Sequence, residues 1–127
     1  MRTCILGLLV VFLSACSGPD PRYQMAPQKW NDVIIKVESR PTPIRAGMNE
    51  FLILATLERG KPVHDLIISL RADANAEWQQ AIQDGHSGVY RRALRVPGTP
   101  ILYVNVRKKM AEEEVVLEFP IIYESDL

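Results

Sequence analysis

The chain has little from which a reactive centre could be assembled. Its 127 residues include two cysteines and two histidines. Both cysteines, Cys4 and Cys16, lie near the N-terminus. Neither a disulfide framework nor a C-x-x-C metal or redox motif is therefore open to the remainder. H-x-H and M-x-x-M spacings are missing too. No serine or cysteine sits in a nucleophile elbow. His64 and Asp65 are adjacent, so on an extended segment they point to opposite faces and cannot form a dyad. The expectation is that the protein is not an enzyme. Excess charge of one sign is also lacking, since 15 Lys and Arg balance 15 Asp and Glu. No global field draws the chain to nucleic acid or to an anionic surface. No apolar run reaches the about 20 residues that a membrane-spanning helix needs.

The apolar run that does exist, Cys4 to Leu13, is ten residues long. That suits the h-region of an export signal, with Arg2 and the initiator amine supplying the positive flank. Leu13-Ser14-Ala15-Cys16 follows and resembles the lipobox of bacterial lipoproteins. The resemblance implies removal of a signal peptide, residues 1–15, acylation of Cys16, and attachment to a membrane through the lipid. Two lipid signals suffice for stable anchoring. Ordinary cleavage after Ser17 competes with this reading, because Ala15 and Ser17 also place small residues at both key positions. Ser17, where an Asp would favour retention in the inner membrane, points by the same resemblance to the outer membrane. With Cys4 removed and Cys16 acylated, the mature monomer has no thiol left for a disulfide.

Residues 16–29 read as the lipidated cysteine and a flexible tether. Ser17 to Lys29 holds three prolines and a glycine without apolar periodicity, and fully extended it would reach roughly 40 Å. From Trp30 to the end, 30–127, period-two patterns dominate. The alternation predicts strands over Val33–Glu38, Phe51–Leu57, Leu66–Arg71, Val89–Val96, Leu102–Arg107 and Val115–Ile121. Phe51, Ile53, Leu66, Ile68, Leu70, Leu102, Val104 and Leu117 are the expected core. Residues 72–88 are ambiguous between strand and helix. Trp78 to Gln83 reads as a short strand because Asp84-Gly85-His86-Ser87-Gly88 then closes a hairpin. Pro120 confines the end of the last strand to a sheet edge.

Seven short strands with frequent turns and hardly any helix indicate an all-β fold, an immunoglobulin-like antiparallel β-sandwich. The Cys-Trp-Cys core of antibody domains is absent, and Trp78 is the candidate core plug. Pro41-x-Pro43-x-x-x-Gly47-x-Asn49, Gly60-Lys61-Pro62-Val63 and Gly88-Val89-Tyr90-Arg91 resemble the spaced signatures of FixH and YtkA-like domains. These are membrane-anchored, extracytoplasmic immunoglobulin-like modules of bacteria. The resemblance covers roughly residues 33–122, and its motifs are turn-makers. It implies a place in the cell envelope and, through FixH, an association with copper supply to a respiratory oxidase.

Two candidate sites follow. In Val89–Val96, alternation puts Arg91, Ala93 and Arg95 on one face and Tyr90, Arg92, Leu94 and Val96 on the other. Arg91 and Arg95 are candidate partner-binding residues, or else guards against edge-to-edge pairing. For a metal the candidates are His64, Met48 and His86, all in or beside expected loops, with copper as the ion the family resemblance suggests. The function expected is binding: an accessory protein of the periplasmic face with an envelope protein as partner. Copper handling is the alternative.

Overall fold

The computed structural model describes residues 21–98 and 101–123. The export signal and Cys16 lie outside the described residues. A single 3-10 turn, Pro21–Tyr23, precedes nine strands: β1 Gln28–Trp30, β2 Val33–Arg40, β3 Gly47–Thr56, β4 Leu66–Arg71, β5 Gln79–Gln80, β6 Ile82–Gln83, β7 Val89–Val96, β8 Ile101–Lys108 and β9 Glu114–Pro120. They form a five-stranded sheet, β1-β2-β3-β7-β6, and a four-stranded sheet, β5-β4-β8-β9. All pairings between strands are antiparallel.

The period-two pattern explains why the sheets stack. Val33, Ile35 and Val37 of β2, Phe51, Ile53 and Ala55 of β3, and Tyr90, Leu94 and Val96 of β7 turn inward from the first sheet. Leu66, Ile68 and Leu70 of β4, Leu102, Val104 and Val106 of β8, and Leu117 and Phe119 of β9 meet them from the second. All eight residues expected in the core are buried. Tyr90 is the largest side chain sealed inside. Its hydroxyl donates to Val63 O at 3.0 Å and accepts from Leu66 N at 3.3 Å, joining the two sheets through the β3–β4 connection. Burial pushes the Tyr90 phenol above its ordinary pKa, against a smaller opposing effect of the Leu66 N–H.

Three expectations change. Residues 21–29, read from composition as part of the tether, hold the 3-10 turn and most of β1, and Met25 is buried in the core. Pro21 and Pro27 hide this contact, because a short edge strand and one anchoring methionine leave no periodic signal. The expected strand over Trp78–Gln83 is two pieces. β5 pairs with β4 and β6 with β7, so the chain changes sheets at Ala81, whose N–H still donates to Ile68 O at 2.8 Å. Such corners are made by strands that switch sheets. Trp78 does not plug the core, since it is 37% exposed on the approach to that corner. Pro120 does end an edge strand, β9.

The turn residues quoted above serve this frame. The Asn49 side chain is buried, with its amide nitrogen donating to Arg45 O (2.6 Å) and Gly47 O (3.1 Å) and its oxygen accepting from Arg45 N. It thus folds the Pro41–Gly47 connection onto β3. The turn after β3 is closed by Leu57 N donating to Lys61 O and Gly60 N to Leu57 O. Lys29 of β1 reaches this turn and pairs with Glu58 at 2.6 Å; its hydrogen bond, and then its charge, hold the Glu58 carboxyl below the ordinary carboxylate range.

Candidate functional site

Alternation on β7 leaves Val89, Arg91, Ala93 and Arg95 on the outer face of the five-stranded sheet. Register decides their company. Met48 of β3 lies directly opposite Arg95, Glu50 opposite Ala93, and Leu52 opposite Arg91. On the other side, Ile82 of β6 also lies opposite Arg91. Met48 is 58% and Ile82 71% exposed. Two large apolar side chains thus stand in water beside the two arginines singled out from the sequence. Leu52 is buried, yet on this outer side and not in the inter-sheet core, with Glu38 and Arg91 as its cross-strand neighbours.

The charge on this face is lopsided. Lys29, Lys36, Arg40, Arg91 and Arg95 share it with Glu38 and Glu50 on the strands, while Glu58 and Asp84 reach Lys29 and Arg91 from the flanking turns. Lys36 lies 3.6 Å from Glu38, and Arg91 lies 3.8 Å from Asp84 in the β6–β7 connection. Arg95 forms no ion pair among the described residues. Glu50, Ile82, Arg91, Arg92 and Ala93 line a shallow depression of about 450 Å³. Arg92 occupies an inward position but lies at the rim, where its guanidinium donates to Gln79 Oε1 at 2.5 Å. Arg91 and Arg95, four residues apart, are separated by about 13 Å along the strand.

The histidines meet at one rim of the sandwich. His64 follows Pro62 in the β3–β4 connection, and His86 lies in the β6–β7 connection. Their ring centres are 4.9 Å apart, edge to face. Gln83 Nε2 donates to His64 O at 2.7 Å, and Ala55 N donates to Gly88 O at 2.8 Å, so both connections are pinned to the frame. Met48 is not with them. It sits near the start of β3, whereas Ala55 is near its end, about 23 Å further along. Met110 is fully exposed at the tip of the β8–β9 hairpin. Among the described residues no three His, Cys, Asp or Glu side chains come together as a metal-binding group.

No protein-family model, curated protein or solved structure matches the chain.

One cluster escaped the sequence reading. On the outer face of the four-stranded sheet the Arg71 guanidinium stacks over the Trp78 ring at 4.2 Å and approaches the Tyr103 ring at 5.4 Å. Arg71 and Tyr103 are direct cross-strand partners. The alternation of β4 and β8 already placed both outside. Trp78, assigned to the core, was the missing third member. Arg71 Nε is buried without a hydrogen-bond partner. Such a donor costs about 1–3 kcal/mol where nothing accepts from it.

Proposed function

We propose that the protein is a lipid-anchored, non-enzymatic binding protein of the bacterial cell envelope. It acts from the periplasmic face, more in keeping with the outer than the inner membrane, and docks an acidic surface of an envelope protein onto its five-stranded sheet. The observation that carries the docking face is the register that sets Met48 beside Arg95 and Ile82 beside Arg91. Interfaces favour Met and Arg over Lys and Glu, and exposed apolar side chains among like charges suit a complementary charged partner. The anchor rests on the resemblance of residues 13–16 to a lipobox. The immunoglobulin-like type is supported by strand order: with β2, β3, β7 and β6 taken as A, B, E and D, and β4, β8 and β9 as C, F and G, the two sheets follow the constant-domain pattern.

The test is crosslinking of the anchored protein in cells, with the captured partner identified by mass spectrometry, in the parent and in Arg91→Ala, Arg95→Ala. The double variant should melt as the parent does, since exposed charge pairs contribute only about 0–1 kcal/mol. Its capture should fall, most at low salt, because charges are screened beyond about 8 Å at physiological ionic strength. Unchanged capture at low salt would remove the arginines from the interface.

A second reading, copper handling of the kind the FixH resemblance suggests, is favoured by the contact of His64 with His86. Ring centres lie about 3.2 Å from an ion bound at normal Zn–N or Cu–N distances, so two imidazoles on one tetrahedral ion stand about 5 Å apart. The observed 4.9 Å fits that separation. The pair supplies two ligands, and the rest of the coordination would come from outside it. Copper titration of the parent and of His64→Ala separates the readings: equal affinity in both would dismiss this one.

A further inference from the structure

We propose that Arg71, beside Trp78 and Tyr103 on the outer face of the four-stranded sheet, receives the carboxylate of a peptide. The site lies on the opposite side of the sandwich from the Arg91–Arg95 face and does not depend on it.

A guanidinium carries five N–H donors in one plane. Arg71 gives none of them to an acceptor among the described residues, and it forms no ion pair there. Its Cζ lies over the Trp78 ring at 4.2 Å and over the Tyr103 ring at 5.4 Å, contacts that take up none of these donors as conventional hydrogen bonds. What remains is the in-plane edge. The terminal nitrogens are not among the buried unpartnered atoms, unlike Nε. An edge of two parallel N–H groups matches a two-oxygen planar acceptor, bidentate and charge-assisted. Contact with the aromatic rings also restricts the side chain beforehand, which cuts the ordering that binding would otherwise require.

The surroundings select among oxyanions. Glu118 of β9 stands opposite Tyr103, and Glu114 opposite Arg107. One arginine beside a carboxylate, on a face with equal numbers of both signs, suits a monoanion and opposes a dianionic phosphate. Ser69 and Asn105, cross-strand partners next along the ladder, offer a hydroxyl and an amide at the reach of a peptide backbone. Trp78, 37% exposed, offers a flat apolar surface for a side chain beside the carboxylate.

Trp78 is also the reporter. The chain has two tryptophans, so Trp30→Phe leaves it as the sole indole. The full chain carrying this change, in non-ionic detergent, is titrated with N-acetylleucine, N-acetylleucine amide, the α-amide of N-acetylaspartate, and inorganic phosphate. A saturable change of Trp78 emission is expected with a carboxylate probe and none with the neutral amide. A stronger response to N-acetylleucine assigns a chain end, and a stronger response to the aspartate probe assigns an acidic side chain. Arg71→Lys keeps the charge but loses the planar fork, and should weaken binding at least about tenfold. The Nε–H resonance of Arg71 in the unsubstituted arginine background should shift along the same titration, whether or not the lysine variant folds. Equal responses to acid and neutral amide, tighter binding of phosphate, an unmoved Nε–H resonance, or an undiminished response in a folded Arg71→Lys would each overturn the proposal.

Discussion

Gly88→Ala probes the seam where the β6–β7 connection is fastened to β3. Gly88 sits at φ +75, a conformation that L side chains rarely adopt. Its carbonyl accepts from Ala55 N at 2.8 Å, and Ala55 O accepts in turn from Val63 N at 2.9 Å. A Cβ at position 88 would stand 2.7 Å from Ala55 O and 2.9 Å from Pro62 Cβ. Neither neighbour is the far end of a flexible side chain, so relief requires backbone to move on both sides of the two hydrogen bonds. The left-handed conformation costs a residue with a Cβ about 1–2 kcal/mol. Each weakened hydrogen bond adds about 0.5–1.5 kcal/mol, giving a loss of about 2–5 kcal/mol in all. Gly85, three residues earlier at φ +58, has nothing within 4 Å of its Cβ position. Gly85→Ala should therefore lose only the conformational part, about 1 kcal/mol. Urea unfolding of a soluble chain beginning at Ser17 compares the two, with an unchanged slope required for the midpoints to report stability. Equal losses would show that the Ala55–Gly88–Pro62 contact is not what holds the connection in place.

Ile53→Ala, at a fully buried site in the central strand, should cost about 2–5 kcal/mol in the same assay, and Leu117→Ala, on an edge strand, the lower end of that range; a loss below about 1 kcal/mol at both would reverse the inward and outward faces. Tyr90→Phe leaves Val63 O and Leu66 N without their partner and should destabilise by about 1–3 kcal/mol near neutrality. Because the folded pKa of Tyr90 is raised above its usual 10.0, the parent retains this contribution below that pH and loses it as pH rises through the folded value, so stability of the parent should fall in strongly alkaline solution more than that of the phenylalanine variant; parallel pH profiles would contradict the burial of the phenol. Cys16→Ala should abolish incorporation of a labelled fatty acid, and equal labelling of variant and parent would dismiss the lipid anchor.

What was legible in the sequence follows from burial on one face at a time. β2, β4, β8 and β9 each keep a run of apolar residues at every second position, as β7 does apart from Arg92, and their inward sets were readable one by one. β3 was readable as central because both its faces are apolar, and Leu52 is indeed buried on the face away from the core. Illegible pieces are those whose partners alternation does not encode. β5 and β6 are two residues each, too short for a period. Met25 reaches the core from a proline-rich segment with no pattern around it. Arg91 and Arg95 were legible as a pair on one face, but their apolar companions came from β3 and β6 and required register. His64 and His86 could not be paired from the sequence, since 22 positions and three strands, β4, β5 and β6, separate them. Trp78 was misassigned for a simple reason: a lone large aromatic is most often core, and only the Arg71 stack gives its exposed ring a partner.

How the sheet edges are closed bears on the kind of partner this fold accepts. A partner can join a sandwich by adding a strand to an open edge or by covering a face. The edges of the five-stranded sheet, β1 and β6, offer three and two residues, and β5 of the other sheet offers two. β9, at seven, is the longest of the outermost strands, and among the described residues β7 also shows an edge past β6, which pairs only with Tyr90 and Arg91. In an antiparallel ladder the N–H and C=O of one residue point the same way and alternate along the strand. Gln28 Nε2 donates to Glu118 O at 2.5 Å, which marks Glu118 as an outward position. Glu114, Val116 and Pro120 then share that outward row. Pro120 has no N–H to offer, the Glu118 carbonyl is already taken, and Glu114 adds charge; these are means by which proteins blunt an edge. Strand addition at β9 therefore finds at most a fragment of a ladder. The faces are less guarded: one carries Met48 and Ile82 among an excess of basic groups, and the other carries an arginine with unspent donors beside two aromatic rings. Association through side chains on the faces is therefore favoured over backbone pairing at β9, and Arg91, Arg95 and Arg71, ahead of the residues of β9, are the positions to substitute first.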